Sequence, residues 1–148
     1  MQQSIQRIDH VVILVKPENL RGYADRLGGI LGITFDEPIV SASGTMVTFC
    51  WDAGLEIIAP TREEGAYWER LQRFGEGSVN IIFGVADLDD AMRRAEANGG
   101  PIGYEAKVRG DEPFLTRFSK FREAKVNAFA DDFGCQIGIC EIVPVQVD

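Results

Sequence analysis

Ile8 to Val15 reads Ile-Asp-His-Val-Val-Ile-Leu-Val, dominated by β-branched residues, and the run stops at Lys16-Pro17. That pattern predicts a strand covered on both faces. Leu20, Tyr23, Ala24, Leu27 and Leu31 then recur at helical spacing, which predicts an amphipathic helix that Gly32 ends. Thr45 to Trp51 and Leu55 to Ala59 flank the turn residues Asp52-Ala53-Gly54 and read as a hairpin. A shorter strand near Phe35 to Val40 precedes them, and its Pro38 suits a sheet edge.

The pattern then restarts. Val79 to Val85 is a second apolar strand, and Asp87 is a candidate N-cap for a helix carrying Leu88, Ala91, Met92 and Ala95 on one face. Gly99-Gly100-Pro101 ends that helix, and Ala124 to Ala130 and Gln136 to Ile142 are the closing strands. Between the two copies, Arg62 to Phe74 places Tyr67, Trp68, Leu71 and Phe74 on one helical face, with Gly75-Glu76-Gly77 as a flexible joint. His10 aligns with Asn80 and Gly54 with Gln136, so the chain reads as a weak internal repeat. Duplication has a physical motive, because a unit unable to bury its sheet alone gains by pairing.

The chain of 148 residues is one ordinary domain in size, with 45% hydrophobic and 26% charged residues. Its net charge of −8 repels a phosphate backbone, so nucleic acid is not an expected partner. The longest aliphatic run, Val11 to Val15, is too short to span a bilayer, and Met-Gln-Gln-Ser-Ile-Gln-Arg has no signal-peptide apolar core, so a cytoplasmic protein is expected. Cys50, Cys135 and Cys140 form no CxxC pair and indicate neither a disulfide framework nor structural zinc.

Four segments resemble the vicinal oxygen chelate superfamily of glyoxalase I, methylmalonyl-CoA epimerase, extradiol dioxygenases and bleomycin resistance proteins. They are Ile8 to Ile13, Gly54 to Pro60, Gly75 to Leu88 and Asp132 to Glu141, so the likeness spans nearly the whole chain. It implies an α+β fold: two βαβββ modules, about 5–61 and 78–144, joined by a helix at about 62–74, forming a curved mixed sheet around one pocket. It also implies a divalent metal held by one side chain from each of four strands. Here those positions carry His10, Glu56, Asn80 and Gly138. An amide oxygen is a weak ligand and glycine offers no side chain, so the expected protein has lost the ordinary metal centre, and a weak divalent site would rest on His10 and Glu56 alone. Strand alternation aims Glu141 away from the Gln136, Gly138 and Cys140 face, and only a bulge at Gly138 would bring it back as a replacement.

Without a metal, His10 and Glu56 are the candidate catalytic pair. The expected chemistry is proton transfer beside a carbonyl, in an isomerase or lyase, with His10 as acid/base and Glu56 orienting it or acting as second base. The alternatives are a buried histidine with its structural partner, and a non-catalytic protein that sequesters a small molecule. Thr48, Asn80, Gln136 and Asn127 are candidate neutral substrate-binding groups or ordinary sheet polarity. Phe114, Phe118 and Phe121 fall at helical spacing with Arg117, Lys120 and Arg122 between them. That segment, 108–122, is either a cationic lid in which Arg117 and Phe118 meet an anionic substrate, or a dimer contact. Trp51, Trp68 and Tyr104 line a pocket or merely pack. No cofactor is expected beyond the weak metal, and the expected partners are a small-molecule ligand and a second copy of the chain.

Overall fold

The computed structural model describes residues 7–106, 108 and 110–146. The N-terminal stretch read for a leader, the first residues of module one and residue 109 of the 108–122 segment lie outside the described residues. The described elements run β1 (Arg7–Leu14), α1 (Leu20–Leu31), β2 (Ile39–Val40), β3 (Thr45–Cys50), β4 (Leu55–Pro60), α2 (Ala66–Phe74), β5 (Gly77–Gly84), α3 (Leu88–Ala97), β6 (Ile102–Glu105), β7 (Phe118–Val126) and β8 (Gln136–Pro144). Short 3-10 turns cover Pro17–Asn19 and Pro113–Arg117. The order βαβββ occurs twice, giving an α+β fold with parallel and antiparallel pairings. No described helix is long and apolar enough to cross a membrane.

Residue contacts divide the chain into two compact units. The first is His10–Val79, and the second joins the residues up to Asp9 with those from Asn80 onward. The helix α2, expected as a connector, therefore belongs to the first unit, and β1 is shared at the boundary.

In the first unit the strand order is β2-β3-β4-β1. β1 runs parallel to β4, from Val11 opposite Leu55 to Leu14 opposite Ile58. β4 is antiparallel to β3, with Phe49 opposite Glu56 and Thr48 opposite Ile57. One sheet face packs on α1 through Val15, Leu20, Ala24, Ile57 and Ala59, with Ile13, Phe35 and Met46 at the margin. Gly32 ends α1 at φ 68°, a left-handed conformation that glycine adopts without Cβ strain, and its N–H donates to the Gly28 carbonyl.

Three expectations in this unit change. The strand near Phe35 to Val40 contracts to Ile39–Val40, because residues before Pro38 follow β3 through single contacts: the Asp36 N–H donates to the Phe49 carbonyl at 2.7 Å. Helix α2 begins at Ala66 rather than Arg62, since Gly65 at φ 90° is outside helical space. The segment Gly75-Glu76-Gly77 is tethered through its acidic residue. Glu76 accepts from the Lys16 N–H at 3.0 Å, from Asn19 Nδ2 at 3.0 and 3.2 Å, and from the Tyr23 hydroxyl at 3.2 Å. Burial works to raise its pKa, but the bonds from Asn19, the Lys16 N–H and Tyr23 prevail and hold the carboxyl below its ordinary value.

In the second unit the order is β5-β8-β7-β6. β5 runs parallel to β8, with Asn80 opposite Gln136 and Ile82 opposite Gly138. β8 pairs antiparallel with β7, and β7 with β6. Asp87 caps α3 as its sequence predicts, its carboxylate accepting from the Asp90 N–H at 2.9 Å. β6 was not evident from its four residues.

The 108–122 segment departs most from expectation. Its helical spacing does not form an α-helix: Pro113–Arg117 is a 3-10 turn and β7 starts at Phe118. A register shift between Phe118 and Lys120 adds an extra residue to β7, and Phe118 thereby meets Phe121, with ring centroids 5.8 Å apart. Phe114 lies 5.3 Å from Phe121. Two of the cations pair with carboxylates. Lys120 pairs with Glu141 at 2.6 Å, while Arg122 binds Glu105 at 2.8 Å and Asp89 at 3.0 Å, tying β6, β7 and α3 together. Strand β7 also ends at Val126, short of the predicted Ala130, where the Asn127 N–H turns to the Pro101 carbonyl.

Candidate functional site

Alternation along β1 decides where its histidine goes. Ile13 packs toward α1, so His10, Val12 and Leu14 point to the opposite face, and all three are buried. On β4, Ile57 and Ala59 pack toward α1, which turns Glu56 and Ile58 the other way. The two chemically useful side chains therefore share a face for a simple reason of parity. His10 Nε2 lies 3.4 Å from Glu56 Oε2.

Burial of the pair is unequal. The side chain of His10 is 2% exposed and that of Glu56 is 15% exposed. The imidazole sits behind, and the carboxylate is the member that reaches outward. Phe49, opposite Glu56 on β3, shares the face, and Trp51 stacks on it with centroids 4.3 Å apart and planes 13° from parallel. Trp51 also meets His10 edge-on, at 5.9 Å and 74°. An aromatic wall on one side and a carboxylate on the other hold the imidazole in one orientation. An acid/base pair positioned in this way can accept a proton from a carbon acid and return it.

Thr48 is placed differently. Its register partner Ile57 belongs to the α1 face, and its hydroxyl donates to the Asp36 carbonyl at 2.5 Å. It is on the opposite side of the sheet from His10 and Glu56, because it is one residue from Phe49. Trp68 lies on α2 beside a cavity of about 340 Å³ lined also by Pro17, Pro60 and Leu71.

In the second unit, Asn80 and Gln136 are register partners on one face of the β5 and β8 pair. Asn80 is buried. Gln136 donates its Nε2 to the carbonyls of Ala130 at 3.2 Å and Phe133 at 3.4 Å, which ties down the turn before β8. Asn127 is exposed, with its side chain beside Gly103. Arg117 is exposed at the end of its 3-10 turn, and Phe118 is half-buried against Phe121. Tyr104 is exposed on β6.

The donor set implied by the resemblance can be tested within each unit. His10 and Glu56 offer an imidazole nitrogen and a carboxylate oxygen, and Asn80 offers an amide oxygen. Gly138 offers nothing. A Cβ there would lie 2.5 Å from Ile82 Cδ1 and 3.2 Å from the Ala124 carbonyl oxygen. The space for a carboxylate side chain is filled by a methyl group packed from β5. The pairing of β8 with both neighbours runs through Gly138 without a shift, and Glu141 stays on the other face with Lys120. These residues do not build a four-donor centre.

Two side chains that sequence reasoning passed over share the Gly138 face. Glu123 and Lys125 on β7 lie opposite Cys140 and Gly138, and each side chain is 12% exposed. Period-two alternation along β7 would have paired them, had the strand been read from Phe118. Cys140 is fully buried, and burial first, then the charges of Asp9 and Glu123 and a hydrogen bond with Asp9, push its thiol well above the ordinary range. That shift favours the neutral thiol at neutral pH.

No family profile matches the sequence, and no curated protein matches it. Solved structures do match. A Streptomyces coelicolor methylmalonyl-CoA epimerase variant in complex with 2-nitronate-propionyl-CoA aligns with a TM-score of 0.69 at 26% identity, covering 93% of this chain and 95% of that one. Methylmalonyl-CoA epimerase from Mycobacterium tuberculosis gives 0.73 at 22% identity, over 97% and 93% of the two chains. A variant of 4-hydroxymandelate synthase from Streptomyces coelicolor gives 0.73 at 14% identity, where 97% of this chain covers 50% of that one. At such low identities the last two show a shared fold and nothing finer.

Proposed function

The chain has the vicinal oxygen chelate fold, and from that premise we propose that it is a metal-independent isomerase or lyase that moves a proton beside the carbonyl of a small organic substrate. The observation carrying this reading is the Glu56 carboxylate, partly exposed and backed at 3.4 Å by a buried imidazole. The unequal burial assigns the roles. Glu56 takes the proton from carbon, and His10 orients the carboxylate and shares the proton once it has arrived. This reverses the order that the residue types alone suggest, because the deeper group cannot meet a substrate first. Phe49 and Trp51 keep water from one side of the pair and offer an apolar surface to the ligand. The epimerase neighbours, one of them solved with methylmalonyl-CoA, support an isomerase-type reaction on a carbonyl compound.

The test is solvent exchange. Carbonyl compounds with an acidic α-hydrogen, methylmalonyl-CoA among them, are incubated with the protein in deuterium oxide, and loss of the α-proton signal is followed by NMR. Glu56→Gln should slow exchange by about 10²–10⁴-fold, the usual contribution of a positioned acid/base. His10→Asn should slow it less, and a chelator should leave the rate unchanged. Exchange that survives Glu56→Gln refutes the assignment. Tight binding without exchange would instead identify a sequestering protein.

A further inference from the structure

Three segments of the first unit meet around the cavity of about 340 Å³ beside Trp68: the turn that opens at Lys16-Pro17, the end of β4 at Pro60 with the residues after it, and one side of α2. Its volume is within the range of small-molecule pockets, roughly 300–1,000 Å³. Pro60 and Leu71 give it buried apolar walls, and Trp68 is only half-buried, so part of the indole is open to the cavity. It shares no residue with the group formed by His10, Glu56, Phe49 and Trp51.

Charge decides what the cavity would take. Lys16 and Arg62 line it, and each has a carboxylate beyond the lining: Arg62 Nη1 stands 3.6 Å from Glu64 Oε1, and the charge of Lys16 helps to hold the Glu76 carboxyl below its ordinary value. Glu18 and Glu63 also line it, and both are exposed without an ion-pair partner among the described residues. Two cations are thus met by four carboxylates, an excess of the same sign as the net charge of −8 on the whole chain. Solvated carboxylates alone would mark no site. The indole adds the second requirement, because the face of Trp is the best aromatic partner for a cation and its attraction acts together with that of a neighbouring carboxylate. An anionic guest would meet the unfavourable sign on both counts.

We propose that this cavity is a binding site for a small organic ammonium ion with an apolar body, its charge placed between the Trp68 indole and the carboxylates of Glu18 and Glu63. The proposal is independent of proton transfer at Glu56, and its test uses no turnover.

The intact protein, labelled with ¹⁵N, is titrated with benzyltrimethylammonium, with benzyl alcohol as the neutral analogue and with benzoate as the anionic one. The readout is the indole N–H signals, of which the chain has two, separated by sequential assignment. The ammonium ion should shift the Trp68 signal saturably, benzyl alcohol should bind several-fold more weakly, and benzoate more weakly again. Combining Glu18→Gln with Glu63→Gln, both on the surface, should weaken ammonium binding about tenfold and leave the melting temperature at that of the parent. In about 1 M salt, where screening acts within about 3 Å, the preference for the ammonium ion over benzyl alcohol should shrink. Absence of a saturable shift with benzyltrimethylammonium, benzoate binding as tight, unchanged binding in the double variant, or a shift confined to the Trp51 signal would each overturn the proposal.

Discussion

Replacing Gly138 by Ala tests the packing that excludes a side chain from this position. The new Cβ would stand 2.5 Å from Ile82 Cδ1, where carbon atoms normally rest about 3.5–4.0 Å apart, so one of them must move by about 1 Å. Ile82 is fully buried, and overpacking of this kind costs about 1–3 kcal/mol. Against this, alanine loses less backbone freedom on folding than glycine, worth about 0.4–1 kcal/mol at a position with ordinary φ. The net expectation is a loss of about 1–2 kcal/mol, and a melting temperature lower by about 2–8 °C for a chain of this size.

The diagnostic is the double substitution. Ile82→Val removes Cδ1 and by itself costs about 0.5–1.5 kcal/mol. In that background the next side-chain atom, Ile82 Cγ1, is 3.8 Å from the new Cβ, an ordinary contact, and only the Ala124 carbonyl oxygen at 3.2 Å has to give slightly. The alanine methyl then fills the space vacated by Cδ1, and the pair should cost about as much as Ile82→Val alone. The cycle, measured by urea unfolding with circular dichroism, should show favourable coupling of about 1–2 kcal/mol. Additivity within about 0.5 kcal/mol, or a Gly138→Ala protein as stable as the parent, would refute the argument.

Glu76→Gln should destabilise the first unit at neutral pH. Because the folded pKa is lowered, the contribution of Glu76 is present above its unfolded value of about 4.3 and fades as pH falls through that value to the folded one. Thermal melts of the two proteins should therefore converge in acid, and an unchanged gap at pH 3 would contradict the tethering. Asp87→Ala removes the carboxylate that accepts from the Asp90 N–H at the start of α3 and should cost about 1 kcal/mol, read by the same unfolding assay, with Asp87→Asn recovering most of it.

The apolar rhythm announced β1, α1, the β3 and β4 hairpin, β5 and α3, because each combines a clear period with a stop residue. His10 and Glu56 were singled out by the family resemblance rather than by that rhythm, and their common face follows from strand alternation once β1 pairs with β4. β6 escaped notice: Ile102–Glu105 is too short to show a period, and its place depends on pairing with β7. The phenylalanines at 114, 118 and 121 misled because a register shift brings together rings that also happen to fit a helical interval.

Composition, alternation and the duplicated βαβββ order are local properties, and the chain carries them before it folds: an acidic α+β protein with an imidazole on one strand and a carboxylate on another, set side by side only by what the family resemblance implies. Register and depth are not local. Only after β3 paired with β4 was Thr48 on the helix side and Phe49 beside Glu56, since a shift of one residue exchanges the two faces. Only packing showed Glu56 more exposed than His10, and Ile82 filling the place where Gly138 lacks a side chain. Those facts depend on contacts between residues far apart in the chain, whose energies no single segment contains.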